Sequence, residues 1–214
     1  MLFSTLEYAS YLSYSPHGST QPEINSRNAM IMVKNDVQIA SKNMPTTEYI
    51  AQKIANNLSK LPFKDFFGND ISLVPVPKSS PIKHGTLWVP HRMVQALCRL
   101  NLGKELNCLR RIQAVPKSAT SKPSERPTAK RHYETISVQD VLNQPKAILL
   151  VDDVITRGAT FIGSASRLHD VFPDIPIRAF AILRTVSNPS EFTKIESPIV
   201  GKIDLMGDQT FRYP

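Results

Sequence analysis

The residues best suited to chemistry in this chain are gathered in one stretch, AILLVDDVITRGAT at 147–160. Two adjacent carboxylates, Asp152 and Asp153, follow an apolar run, and Thr156, Arg157, Gly158, Ala159 and Thr160 come after them. Charged oxygen acceptors bond well to sugar hydroxyls. A Thr- and Gly-containing turn that opens a helix suits an anion instead, because free N–H groups and the positive end of the helix dipole converge there. Gly158 lets the backbone approach a phosphate closely, Thr156 and Thr160 offer hydroxyl donors, and Arg157 adds charge if it points inward. Together the acid pair and the anion cradle suit a ribose phosphate held by its 2- and 3-hydroxyls at one end and its phosphate at the other.

Particular elements must position these groups. Ala147 to Val151 is a short β-branched and aliphatic run, the pattern of a strand covered on both faces of a parallel sheet, and it sets the acid pair at its carboxyl end. Beyond the turn, Phe161, Ala165, Leu168 and Phe172 recur at helical spacing, the stripe of a helix packed on a sheet. The intervening residues therefore form a strand-to-helix turn, at the sheet edge where open α/β folds bind ligands. The purely structural alternative is a buried strand whose acid pair only caps the helix.

LLVDDVITRGAT resembles the signature for phosphoribosyl pyrophosphate (PRPP) of the type I phosphoribosyltransferases: an apolar strand, two acidic residues, two spacers, then Thr-Thr/Ser-Gly-x-Thr. Every signature position but one matches, since Arg157 stands where the second Thr or Ser is usual. Residues 71–80, ISLVPVPKSS, extend the resemblance to the ComF-like, amidophosphoribosyltransferase-like subgroup. There such a strand and loop hold pyrophosphate, which implies Lys78, Ser79 and Ser80 near the leaving group. The plain alternative is an edge strand tolerating Pro75 and Pro77, with Lys78 solvated. Between Ala114 and Tyr133, Lys117, Lys122, Arg126, Lys130 and Arg131 are spaced through Pro, Ser and Thr. With few apolar residues to bury, this segment is expected to be a mobile loop. In the family a flexible basic loop folds over PRPP, excluding water and surrounding the departing pyrophosphate with charge. Lys130 and Arg131, nearest the return to ordered chain, are the catalytic candidates within it.

The resemblance implies a mostly parallel sheet flanked by helices, with a variable N-terminal hood that selects the acceptor. It also implies displacement of pyrophosphate from carbon 1 of PRPP by a nitrogen nucleophile, with magnesium held mainly by PRPP itself. A competing class is a PRPP-sensing regulatory or competence-related protein that associates with nucleic acid without turnover. Many ComF-like proteins carry an N-terminal cysteine zinc ribbon that this chain lacks, its only cysteines being Cys98 and Cys108.

Composition sets the frame. At 214 residues the chain is one domain with additions, against about 100–200 residues per domain. Residues 1–62 make the hood, 70–185 the PRPP-binding core and 186–214 a closing segment. Hydrophobic residues make up 41% of the chain, enough for a real core. MLFSTLEYASYL lacks the basic start and apolar centre of a signal peptide, and no apolar run approaches the roughly 20 residues of a membrane span. Two cysteines make neither a disulfide framework nor a metal cluster. These features point to a reducing, cytoplasmic setting, with no membrane partner. The net charge of +8 and the pI near 9.6 fit either a PRPP site or nucleic acid. Without a reader motif, nucleic acid is the lesser reading, and a homodimer stays open.

The remaining segments are assigned coarsely. Residues 1–40 are expected to be irregular or β-rich. Thr46 to Leu61 and Pro90 to Leu100 carry helical stripes, with Pro90 suited to a first turn. Cys108 to Val115 reads as a strand, and Ile203 to Tyr213 as a closing hairpin or edge strand. Ile177 to Thr185 reads as the strand after the PRPP helix, bringing Arg184 to the active edge. There Arg184 either faces acceptor or pyrophosphate or closes a salt bridge. His84 and His91 stand near the pyrophosphate loop without an acidic neighbour in sequence and read as ordinary.

Overall fold

A computed structural model describes residues 2–116 and 125–214. In chain order the regular elements are β1 (Thr5–Tyr14), α1 (Gln21–Asn35), β2 (Gln38–Ile39), β3 (Met44–Pro45), α2 (Thr46–Asn57), β4 (Ile71–Pro75), α3 (Val89–Arg99), β5 (Lys104–Glu105), β6 (Leu109–Arg111), α4 (Ala129–Glu134), β7 (Ile136–Val138), β8 (Ala147–Ile155), α5 (Ala159–Val171), β9 (Ile177–Thr185), β10 (Glu196–Met206) and β11 (Gln209–Tyr213). A seven-stranded sheet has the order β11-β10-β1-β9-β8-β4-β5. From β1 to β5 neighbouring strands run parallel, while β10 and β11 add an antiparallel hairpin beyond β1. β6 and β7 form a small antiparallel pair of their own.

Successive strand residues face opposite sides of a sheet, and here both sides are covered. Leu149, Val151, Phe180 and Ile182 pack with the helices α2 and α3, while Ile148, Leu150, Ala179 and Ala181 pack with α5. This accounts for the uninterrupted apolar runs in β8 and β9. Phe161, Ala165, Leu168 and Phe172 are all buried, as their spacing predicts. α2 and α3 likewise follow their stripes, burying Ile50, Ile54, Val89, Met93 and Leu97. The tail closes the sheet as the β10–β11 hairpin, with β11 at the edge.

The expected N-terminal hood takes a different form. β1 lies inside the main sheet, between β10 and β9, with Leu6, Tyr8, Ala9 and Tyr11 buried. Aromatic and aliphatic residues fill both of its faces, the mark of a central strand rather than an irregular segment. α1 follows, although its sequence has no apolar stripe; its buried residues are Glu23, Ser26 and Val33. Its ends define it instead. The Glu23 carboxylate accepts from the Thr20 backbone N–H at 2.8 Å and from the Thr20 hydroxyl at 2.7 Å, and Pro22 sits in the first turn. At the other end Asp36 accepts from the Thr47 N–H at 2.9 Å and from Arg92 at 2.9 Å. One buried carboxylate thus ties α1 to the start of α2 and to α3.

At the centre of the α2–α3 side, the Phe180 ring lies 5.7 Å from Phe63 and 5.4 Å from Phe67. Phe180 is fully buried. Phe180→Ala should therefore destabilise the protein by about 3–5 kcal/mol, read from the midpoint shift in urea unfolding.

Candidate active site

β8 runs further than its apolar segment. Its register with β9 continues through Asp152 opposite Ala181 and Val154 opposite Leu183, whereas its pairing with β4 ends at Val151 opposite Pro75. Beyond Val151 the chain is therefore a strand on one side only, and the acid pair borders the gap that β4 leaves. Gly158 then turns the chain at φ +90° and caps α5. A Cβ at that position would lie 2.7 Å from the Ile203 side chain on β10, so both the turn and the close approach require glycine. Arg212 of β11 secures the turn from outside the motif. Its Nε donates to the Thr156 carbonyl at 2.8 Å and its Nη1 to the Tyr8 hydroxyl at 2.7 Å, while Nη2 donates to the Thr185 carbonyl.

Each carboxylate accepts from the next backbone N–H: Asp153 N–H bonds to Asp152 Oδ1 at 2.8 Å, and Val154 N–H to Asp153 Oδ1 at 2.8 Å. Neither acid forms an ion pair among the described residues. Burial, and secondly the neighbouring Asp153 charge, hold the Asp152 carboxyl well above the usual carboxylate range. A pair in this condition has acceptor capacity to spare and no cation to occupy it.

Across the gap lies a polar cluster that sequence reasoning missed. Arg111, buried at the end of β6, donates through Nε to the Lys78 carbonyl at 2.9 Å, through Nη1 to the Thr135 hydroxyl at 2.6 Å, and through Nη2 to His132 Nδ1 at 3.1 Å. His132 Nε2 lies 3.3 Å from the Thr160 hydroxyl. Because the Arg111 guanidinium can only donate, His132 accepts at Nδ1 and carries its proton on Nε2. Burial, then the Arg111 charge, pushes the imidazole down to about 3, so it is neutral at physiological pH. Burial likewise lowers Arg111 to about 10, with Asp152 opposing the shift. Gly163 permits this arrangement: a Cβ there would lie 2.6 Å from His132 Cβ and 2.7 Å from the Ala129 carbonyl, so α4 can settle directly on α5. One signal in the sequence pointed to Arg111. It shares the inward face of β6 with Leu109, and a charge on an apolar strand face needs a purpose.

These elements enclose a cleft of about 980 Å³ along the carboxyl ends of the parallel strands. Asp152, Asp153, Thr156, Thr160, Lys78 and Ser79 line it, together with Arg111, Arg126 and His132. Arg157, Gly158 and Ala159 line an adjoining recess with Thr156 and Thr160. Lys78 donates to the Leu87 carbonyl at 3.0 Å, which leaves two of its three N–H groups for a ligand.

Four expected residues lie elsewhere. Ser80 is exposed and outside the cleft lining. Arg184 turns to β10, donating to the Ser197 carbonyl and, at 2.8 Å, to its hydroxyl, and forms no ion pair among the described residues. Lys130 and Arg131 belong to α4 rather than to a loop. Thr128 caps that helix, accepting from the Arg131 N–H at 3.2 Å, and the buried face is formed by Ala129 and His132. Lys130 is consequently exposed, and Arg131 reaches Glu134 at 4.0 Å. Lys117 and Lys122 lie outside the described residues. His91 does find an acidic neighbour, Glu105 at 2.7 Å, fourteen residues on and supplied by the short edge strand β5. No group of three His, Cys, Asp or Glu side chains converges among the described residues, and no helix there is long and apolar enough to cross a membrane.

No family model matches the chain, and no curated protein matches it. Among solved structures it is similar to a hypoxanthine phosphoribosyltransferase from Staphylococcus aureus, with 13% identity, 67% of this chain covered and a TM-score of 0.33. The match spans 66% of the staphylococcal chain. It is also similar to the hypoxanthine phosphoribosyltransferase from Trypanosoma cruzi, with 11% identity, 80% of this chain and 91% of that chain covered, and a TM-score of 0.36. The chemistry of the site rests on its own residues.

Two outcomes follow from the protonation states. Below the ordinary carboxylate range Asp152 is protonated in both folded and unfolded chains. As pH rises through that range the unfolded chain ionises first, so stability falls. Asp152→Asn should therefore raise the melting temperature at neutral pH, with the gain vanishing as the pH is lowered into the ordinary carboxylate range. For His132 the window lies between its ordinary 6.5 and about 3. Its stabilising contribution is complete above the upper value and is lost as pH falls, because only the unfolded chain takes up the proton. Urea unfolding across that interval should show His132→Gln losing stability less steeply than the wild type, by up to about 1.4 kcal/mol per pH unit.

Proposed function

We propose that the protein is a type I phosphoribosyltransferase that binds PRPP with magnesium and transfers the phosphoribosyl group to a nitrogen acceptor, releasing pyrophosphate. The observation that carries this reading is the pair of cation-free carboxylates at the open side of β8, Asp153 lying five residues before the glycine that turns the chain into α5. Sugar hydroxyls are donors that such acceptors lack. The N–H groups opening α5, with the Thr156 and Thr160 hydroxyls and Arg157, suit the 5-phosphate. Lys78, Ser79 and Arg111 suit the pyrophosphate; the cationic part expected of Lys130 and Arg131 falls to Arg111, which keeps an undonated N–H on each terminal nitrogen.

In this reaction the C1–O bond to pyrophosphate breaks, pyrophosphate leaves with the electron pair, and the acceptor nitrogen's lone pair forms the new C1–N bond. Magnesium bound through PRPP, with phosphate and water oxygens as most of its ligands, would supply neutralisation of leaving-group charge. The protein's share is positional and electrostatic. Asp152 and Asp153 hold the ribose where positive charge develops at C1, while Arg111 and Lys78 stabilise charge building on the pyrophosphate. The neutral His132 shapes the site without exchanging a proton, since it passes Arg111's position on to Thr160 and so couples the pyrophosphate side to the 5-phosphate side.

Calorimetric titration of magnesium–PRPP into the wild type and into Asp152→Asn/Asp153→Asn tests the assignment. Wild-type binding should weaken by at least about 10-fold for each carboxylate replaced, and pyrophosphate release should require a nitrogen acceptor. Absence of wild-type binding would overturn the reading, and binding without release by any acceptor would instead make the protein a PRPP sensor.

A further inference from the structure

The cleft lining holds cations beyond those assigned above to the phosphates of PRPP. Two cationic zones have anions assigned to them, Lys78 with Arg111 for pyrophosphate and the Thr156–Thr160 turn with Arg157 for the 5-phosphate. A third lies on the wall formed by α1, where Arg27 and Lys34 line the cleft and, among the described residues, the only acidic ones in the lining are Asp152 and Asp153. Arg27 is committed to structure, donating to the His17 and Gly18 carbonyls at 3.0 Å each. Lys34 is not. It is half-buried, faces the cleft, makes no hydrogen bond or ion pair among the described residues, and lies near enough to Asp152 to favour that carboxylate's charged form. Tyr14, Met30, Leu87 and Pro90 line the same cleft and give it an apolar surface suited to a flat ring.

A half-buried ammonium without an anion is costly to keep and is relieved by a ligand that brings one. From this unassigned ammonium, and resting on the phosphoribosyl transfer proposed above, we infer that the acceptor is a planar nitrogen compound bearing a carboxylate, and that Lys34 recognises that carboxylate beside the ribose. The ring lies against Met30 and Leu87, its nitrogen directed at C1 and its carboxylate at Nζ of Lys34.

Pyrophosphate release with magnesium–PRPP, measured with paired acceptors, decides the matter: pyridine-3-carboxylate against its carboxamide, 2-aminobenzoate against its amide, and a pyrimidine carboxylate against the same ring without the acid. Release should occur with at least one acid and not with its neutral counterpart. Lys34→Met should raise KM for that acid by about 10- to 100-fold while calorimetry shows PRPP affinity unchanged, and Lys34→Arg should recover part of the loss. Equal use of a neutral partner overturns the inference, as does release with none of the acids when PRPP still binds. A Lys34→Met variant that weakens PRPP and acceptor alike also overturns it, because Lys34 would then serve only as the counter-ion of Asp152. Failure of wild-type protein to bind PRPP is a different result, seen in the calorimetry alone, and removes the transferase reading itself.

Discussion

The structure depends on a central strand that must be apolar for most of its length and charged at one end. β8 is hydrogen-bonded on both sides and covered on both faces up to Val151, then loses β4 as a neighbour while β9 continues. That asymmetry sets Asp152 and Asp153 at the boundary between a dry core and an open cleft. Nearly everything around the cleft can be understood as compensation for that placement. The backbone N–H groups of Asp153 and Val154 turn back to the carboxylates, and the cations stand across the gap rather than in contact. A direct ion pair would satisfy the acids and abolish their use.

The same economy governs the opposite wall. A single buried guanidinium, Arg111, gathers a loop carbonyl, a threonine hydroxyl and an imidazole. Each of these belongs to a different segment, so the residue acts as a joint among the β4 loop, α4 and the β7 approach. The Asp36 carboxylate does a comparable job among the three helices on the other side of the sheet. Both are buried charges retained with partners, the condition under which a low-dielectric interior tolerates them. Both position walls of the cleft, and of the two only Arg111 lines it.

What the sequence disclosed follows the range of the interaction concerned. β8, α5 and β9 were legible because each is decided by local periodicity, and the turn at Gly158 because a motif of contiguous residues specifies it. β1 was not legible as a central strand, since its partners are β9 and β10, nearly the whole chain away. α1 was hidden because capping and a buried carboxylate hold it in place of a hydrophobic stripe. Within the cleft, Asp152 and the Thr156–Thr160 turn could be read directly. Arg111, His132 and Arg212 could not, because their roles arise only when β6, α4 and β11 converge on elements distant in sequence. Lys130 and Arg131 misled for the complementary reason: charge and nearby prolines suggest a loop, whereas a buried face of Ala129 and His132 and a threonine cap make a helical turn.

The position of β1 bears on how the protein is made. It precedes every other described strand in the chain, yet its hydrogen-bonding neighbours, β9 and β10, lie more than 160 residues further on. An aromatic-rich segment must therefore wait, unpaired, until residues 177–206 have been synthesised, and this non-local closure is the slow kind. The staple from Arg212 arrives later still. A nascent chain that stops short of Arg212 lacks this support at the Gly158 turn, so the newly made polypeptide passes through a period in which its sheet edge is available to chaperones and to other copies of itself.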